Sequence, residues 1–186
     1  MLNIALILLL TLNSCALYQD SDEPDIFYHF SDFEILELGR TFSDMIISND
    51  QNAIYLSDYN NNALLKIRTL NSLVLEKHTI VGSHPIALDI SPNDSLIAIA
   101  HEGESSILLL NSQDMTIYSS FSVTLMNMND IAFINDTALI ISSRTDPSCI
   151  TLNLLSGEET TQSVLNGELA MDLSLIHIWR CRRIRR

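Results

Sequence analysis

The sequence predicts an all-β chain: one unit repeated about three times, each unit a four-stranded antiparallel sheet, the units set side by side in an open arc. Three observations predict it. Short runs rich in Ile, Leu, Val and Ala recur at a fixed interval. Asn, Asp, Ser and Gly separate these runs in the manner of turns. Beyond the first dozen residues, no stretch keeps the apolar period of a helix.

The repeat is legible residue by residue. Ile47-Ser48-Asn49-Asp50 precedes the run Ala53-Ile54-Tyr55-Leu56-Ser57-Asp58. An interval of 43 residues leads to Ile90-Ser91-Pro92-Asn93-Asp94 and the run Leu96–His101. One interval further on, Phe133-Ile134-Asn135-Asp136 precedes Ala138–Ser142, through a turn one residue shorter. Each copy continues into a second apolar run: Leu64–Ile67, Ile107–Leu110 and Ile150–Leu152. Polar turns follow, clearest at Asn111-Ser112-Gln113-Asp114 and Leu155-Ser156-Gly157-Glu158. Ala170-Met171-Asp172-Leu173-Ser174 echoes Ala87-Leu88-Asp89-Ile90-Ser91 as the start of a fourth copy.

Four strands in about 40–45 residues make one propeller blade. Blades bury their inner strands on both faces, which suits continuous runs such as Leu96–Ala100 and Ile107–Leu110. A closed ring takes about four to eight blades. Residues 31–172 are therefore expected to form a partial β-propeller, with Phe33–Leu38 as a leading strand fit for a closing blade. A small β-sandwich would bury the same strands without further blades.

Composition excludes several classes. Apolar residues make up 47% of the chain, too many for a disordered one. The formal net charge is −13, and five of the ten basic residues crowd into the last seven positions. The rest of the chain sets all 23 acids against five bases, a surface that repels phosphate backbones, so no nucleic-acid partner is expected. The three cysteines form neither a CxxC pair nor a Cys/His cluster with metal-ligand spacing, so no metal is expected. Cys149, between Ser148 and Ile150 in a strand-like run, is expected to be a buried, inert thiol.

The two ends read differently from the middle. Residues 2–12 (LNIALILLLTL) form an uncharged apolar run of signal-sequence length, short of the roughly 20 residues that span a bilayer. Leu12-Asn13-Ser14-Cys15 then resembles the lipobox of bacterial lipoproteins, although Asn13 and the absence of an early Lys or Arg depart from that pattern. The resemblance implies a signal peptide over 1–14, lipid attachment at Cys15 and an acidic linker within 15–30. The chain is thus expected to be exported and held at the cell envelope, in the periplasm or on the cell surface. The same apolar run also fits an ordinary signal peptide or a buried element of a cytosolic domain. Residues 18–25 (YQDSDEPD) lack the glycine and distal Glu of an EF-hand loop and read as a tether. At the other end, Leu173–Ile178 (LSLIHI) matches the translated sequence of a transposase-type DNA-library adapter. The WRCRRIRR behind it has no counterpart upstream, and 173–186 is expected to be a non-native tail. A basic tail that binds anionic lipid or an acidic partner is the other reading.

The middle copy carries a further resemblance. Val81-Gly82-Ser83-His84-Pro85-Ile86-Ala87-Leu88-Asp89-Ile90-Ser91-Pro92-Asn93-Asp94, with Leu96–His101 and Ile107–Asn111, resembles the YVTN-type repeat of surface-layer and secreted propellers. In that family a Gly and a Pro precede an alternating strand, and Ser-Pro-Asp-Gly closes a hairpin. Here Gln51 or Ser95 stands in for the hairpin glycine, and the first copy has no Pro in its turn. The Gly-His and Trp-Asp signatures of WD40 blades are absent.

Catalytic signatures are missing: no GxSxG, HExxH, GxxxxGK[ST] or GxGxxG occurs. One constellation remains. Asp58, His101 and Arg144 each follow a second strand at intervals of 43 residues, with Ser143 competing for the third position. Equivalent positions in adjacent blades approach one another on one propeller face. A carboxylate, an imidazole and a guanidinium there suit a polar ligand or acid–base chemistry; they equally suit ordinary solvated turns. Asp89 and Asp172 share a first-strand position, better explained by backbone hydrogen bonding than by metal. The expected function is a cell-envelope lipoprotein whose propeller serves as a scaffold for a protein or a small polar ligand, without a cofactor. The alternative is a fragment of a propeller enzyme, lactonase-like or an oxidoreductase, whose active site lies partly in further blades. No CxxCH for haem attachment is present.

Overall fold

The computed structural model describes residues 35–146 and 148–163. Cys15, the expected signal peptide, the linker, the fourth repeat copy with Asp172, and the tail 173–186 lie outside the described residues. All strands among the described residues fall within one compact unit that begins at Arg40.

Twelve strands form three four-stranded antiparallel sheets, each in simple sequence order. The first blade is β1 (Phe42–Ile47), β2 (Ala53–Asp58), β3 (Ala63–Arg68) and β4 (Val74–Ile80). The second is β5 (Pro85–Ile90), β6 (Leu96–His101), β7 (Ser106–Asn111) and β8 (Ile117–Ser122). The third is β9 (Met128–Asn135), β10 (Ala138–Ser143), β11 (Ser148–Asn153) and β12 (Glu159–Ser163). No helix occurs among the described residues. The repeat read from the sequence is thus one blade, and the blades form a partial β-propeller left open rather than closed. Ile35–Leu38 do not form the expected leading strand: they lie outside the compact unit, and Ile35 is 45% exposed with no strand partner.

Blades meet through their inner strands, β1 against β5 and β5 against β9. Alternation along each strand sends neighbouring residues to opposite faces. In β6, Ile97 and Ile99 face the first blade, where they pack with its Tyr55 and Leu64 and with Leu88 of their own sheet. Ala98 and Ala100 face the third, where Phe133, Leu139, Ile141, Ile150 and Leu152 supply the bulk. Small side chains opposite large ones fill the space between sheets at interior density. The outer strands β4 and β8 are largely exposed, which is why they carry Lys77, His78, Ser119 and Ser120 beside their apolar residues.

The hairpins repeat as well. The Ser48 hydroxyl donates to Asp50 Oδ1 at 2.6 Å, and Ser91 to Asn93 Oδ1 at 2.8 Å, closing the β1–β2 and β5–β6 turns alike. The left-handed residue is Gln51 (φ 60°) in one and Asp94 (φ 57°) in the other, so Asp94 rather than Ser95 stands where a glycine was expected. The aspartates also join blades. Asp94 Oδ1 accepts the Asn49 N–H at 2.8 Å, and Asp136 Oδ1 accepts the Asn93 N–H at 3.0 Å.

Candidate functional site

The second strands of the three blades end at Asp58, His101 and Ser143. Each of these side chains is buried and holds its own blade's loops together. Asp58 accepts Arg40 Nη1 at 2.8 Å, and also the backbone N–H and side-chain amide of Asn61 at 3.1 and 2.9 Å. His101 Nε2 donates to the carbonyl of Val81 at 3.1 Å, in the segment joining the first blade to the second. Burial, the largest influence, pushes the His101 pKa below its ordinary value. Gly82 lies against this ring: a Cβ there would come within 2.9 Å of Nε2, at a φ of 122° that side chains rarely adopt. Ser143 donates to the Met126 carbonyl at 2.7 Å and accepts the Thr145 N–H at 3.1 Å.

The expected set of Asp58, His101 and Arg144 is therefore not brought together. No hydrogen bond or ion pair joins any two of them, and Asp58 and His101 are closed to solvent. The reason lies in the third blade's shorter hairpin, which makes Ser143 the structural counterpart of His101 and moves Arg144 one position beyond.

One residue further along each turn the geometry changes. Tyr59, Glu102 and Arg144 occupy equivalent positions in the three blades, just past the strand ends, and they form a continuous row. The Tyr59 hydroxyl donates to Glu102 Oε2, and Arg144 Nη1 lies 3.7 Å from Glu102 Oε1. Arg144 Nε donates to Asn129 Oδ1 at 3.1 Å. His84 adds its ring at 4.6 Å from that of Tyr59, tilted by 47°. Ser83 Oγ lies 2.8 Å from His84 Nδ1, and the His84 N–H donates to Asn62 Oδ1 at 2.9 Å. Glu102, Arg144 and His84 are exposed and Tyr59 partly so. Donation to Glu102 holds the Tyr59 pKa above its ordinary value. The row offers planar hydrogen-bonding groups and an aromatic edge to solvent, chemistry suited to recognition. Sequence reasoning missed Tyr59 and Glu102, although they keep the same interval as the strand ends.

Asp89 serves the backbone, as its position implied: Oδ2 accepts the Phe133 N–H of the next blade at 2.5 Å. Cys149 is buried, and burial pushes its thiol pKa up. Among the described residues no group of three or more His, Cys, Asp and Glu is placed to hold a metal ion.

No sequence family and no curated protein matches the chain. Solved structures do. A hydrazine synthase of Kuenenia stuttgartiensis is similar at a TM-score of 0.61 and 10% identity, over 68% of this chain and 38% of that one. The WD40 repeats of RRP9 are similar at 0.57 and 16% identity, over 67% and 40%. A functionally unknown protein of Desulfotomaculum acetoxidans DSM 771 is similar at 0.57 and 18% identity, over 70% and 44%. At these identities the likeness concerns the fold, and with the three sheets it defines the fold class: a β-propeller. The chain spans about two fifths of the length of these structures.

Proposed function

We propose that this chain is an exported lipoprotein, anchored through Cys15, whose propeller blades bind a protein or a small polar ligand at the cell envelope. The observation that carries the binding half is the solvent-facing row Tyr59–Glu102–Arg144, which crosses three blades on one set of turns. Tyr59 also packs against the core, but Glu102 and Arg144 are exposed, so these two are replaceable without unfolding the sheets. The YVTN-like pattern around Val81–Asp94 supports a place among secreted propellers, and the apolar run ending at Leu12-Asn13-Ser14-Cys15 supports export and anchoring. Two acyl signals at one residue give the stable membrane attachment that a single chain does not.

Two experiments test the two halves. Metabolic labelling with a clickable fatty acid should mark the wild-type chain and not Cys15→Ser, which should leave the membrane fraction. Equal labelling of both forms contradicts the anchor. For binding, photo-crosslinking from Tyr59 and Arg144 in envelope preparations should capture one discrete species, lost on Glu102→Ala with Arg144→Ala at unchanged melting temperature. Crosslinking that persists in the double variant contradicts the row as the binding surface.

A further inference from the structure

A second surface, which shares no residue with the turn row, opens between the first two blades at their outer rim. It is a cleft of about 740 Å³, lined among others by Tyr55, Lys66, Arg68, Glu76, Gln113 and Asp114. It gathers an unusual share of the molecule's few basic side chains. The described residues hold five basic side chains, Arg40, Lys66, Arg68, Lys77 and Arg144. Lys66 and Arg68 line the cleft, and Lys77 reaches its edge, where its ammonium donates to the Asp114 carbonyl.

The commitments of these groups differ. Lys66 Nζ donates to the Gln113 carbonyl at 2.9 Å, lies 3.4 Å from Glu76 Oε2 and sits 6.0 Å from the centre of the Tyr55 ring. Arg68 makes a hydrogen bond of 3.3 Å to the Leu70 carbonyl in its own turn and, among the described residues, has no carboxylate partner. A guanidinium carries five donors in a fork that matches a carboxylate. Glu76 pairs with Lys66 and Asp94 accepts from the first blade, while the other two acids of the cleft are occupied by local turns. Asp50 accepts the Ser48 hydroxyl at 2.6 Å and the Asn52 N–H at 3.0 Å; Asp114 accepts Thr116 Oγ1 at 2.7 Å. A carboxylate has about four acceptor sites, so each keeps capacity for a further donor.

We propose that this cleft binds a small zwitterion, a free amino acid or short peptide, with its carboxylate on the Arg68 fork and its ammonium among the rim carboxylates. A simple anion is disfavoured because Asp50, Glu76, Asp94 and Asp114 outnumber the two lining cations. A simple cation leaves the Arg68 fork unmatched. A ligand bearing both charges answers both halves. The site is separate from the Tyr59–Glu102–Arg144 row and stands or falls independently of it.

The test is an NMR titration of the labelled full chain with glycylglycine, with its N-acetylated form and with its C-terminal amide. Glycylglycine should give saturable shifts at the amides of Arg68, Ser112 and Gln113, and each blocked form should bind at least about tenfold weaker, the loss expected when a charge-assisted bidentate contact is removed. In Arg68→Gln, glycylglycine and its amide should bind equally. Arg68→Lys, which keeps the charge and loses the fork, serves if that variant fails to fold; it should lose most of the preference for the free carboxylate. Absence of saturable shifts, equal binding of the amide to the wild type, or an unchanged preference in the Arg68 variants overturns the proposal.

Discussion

Asp89 Oδ2 in the second blade accepts the backbone N–H of Phe133 in the third at 2.5 Å. Asp44 does the same one blade earlier, through the Leu88 N–H at 2.7 Å. These bonds run from sheet to sheet, so each inner strand is tied to the next by a carboxyl acceptor where the ladder itself cannot reach. Loss of such an acceptor leaves a backbone amide unsatisfied between the sheets.

Replacing Asp89 with alanine should therefore destabilise the second-to-third blade junction by about 2 kcal/mol, within the range for a buried donor left unsatisfied. Asp89→Asn keeps an acceptor and should lose less. Urea unfolding of the two variants measures the difference; equal losses would mean that packing rather than the bond carries the effect.

The first junction also has a bond between neutral groups. Tyr55, 2% exposed, donates its hydroxyl to the Ser112 carbonyl at 2.9 Å. Burial, the dominant influence, raises the Tyr55 pKa to about 12. The unfolded phenol loses its proton near pH 10 and the folded one near 12, so stability is full below pH 10 and falls as pH rises through that window. Tyr55→Phe should cost about 1 kcal/mol at neutral pH and should remove the tyrosine contribution to alkaline destabilisation. Spectrophotometric titration of the phenols in the two proteins checks both statements.

On the acid side the sign reverses. Burial lowers the His101 pKa, so below about pH 6.5, the unfolded value, the unfolded chain takes up a proton that the folded one resists. Stability contributed by neutral His101 is thus present above that pH and lost as pH falls through the folded value. His101→Gln should flatten this limb of the pH–stability profile. Gly82→Ala, which sets a methyl 2.9 Å from Nε2 at a φ of 122°, should destabilise at every pH. A Gly82→Ala protein as stable as the wild type would show that the connector relaxes away from the ring.

Deleting residues 175–186 should leave the melting temperature unchanged or raised, because they match no repeat and add five positive charges. A reproducible drop would show that the tail packs on the blades.

The sequence revealed the blade before it revealed the site, for a physical reason. Runs such as Leu96–Ala100 and Ile107–Leu110 are buried between two neighbouring sheets, so they must be apolar at nearly every position and stand out. The outer strands Val74–Ile80 and Ile117–Ser122 face solvent and keep no such pattern, and they were not singled out. The site was displaced by one residue. Asp58 and His101 looked functional because polar residues ended apolar strands, yet the strand end is itself buried and its polar group closes the adjoining loops. The exposed position is the next one, Tyr59, Glu102 and Arg144, whose chemistries differ from blade to blade and so give no repeated letter to notice. The rim cleft was hidden altogether, since Arg68 and Gln113 come from different blades and meet only once the sheets stack.

The central claim is that three sheets stand side by side in order, the second between the first and third. Methyl and amide NOEs in a labelled sample test it most directly. The account predicts contacts from Ile97 and Ile99 to Tyr55 and Leu64, and from Ala98 and Ala100 to third-blade residues such as Leu139 and Ile150, with none between Leu64 and Ile150. Direct NOEs between the first and third sheets would mean that those sheets face each other as in a sandwich, and would contradict the propeller arrangement.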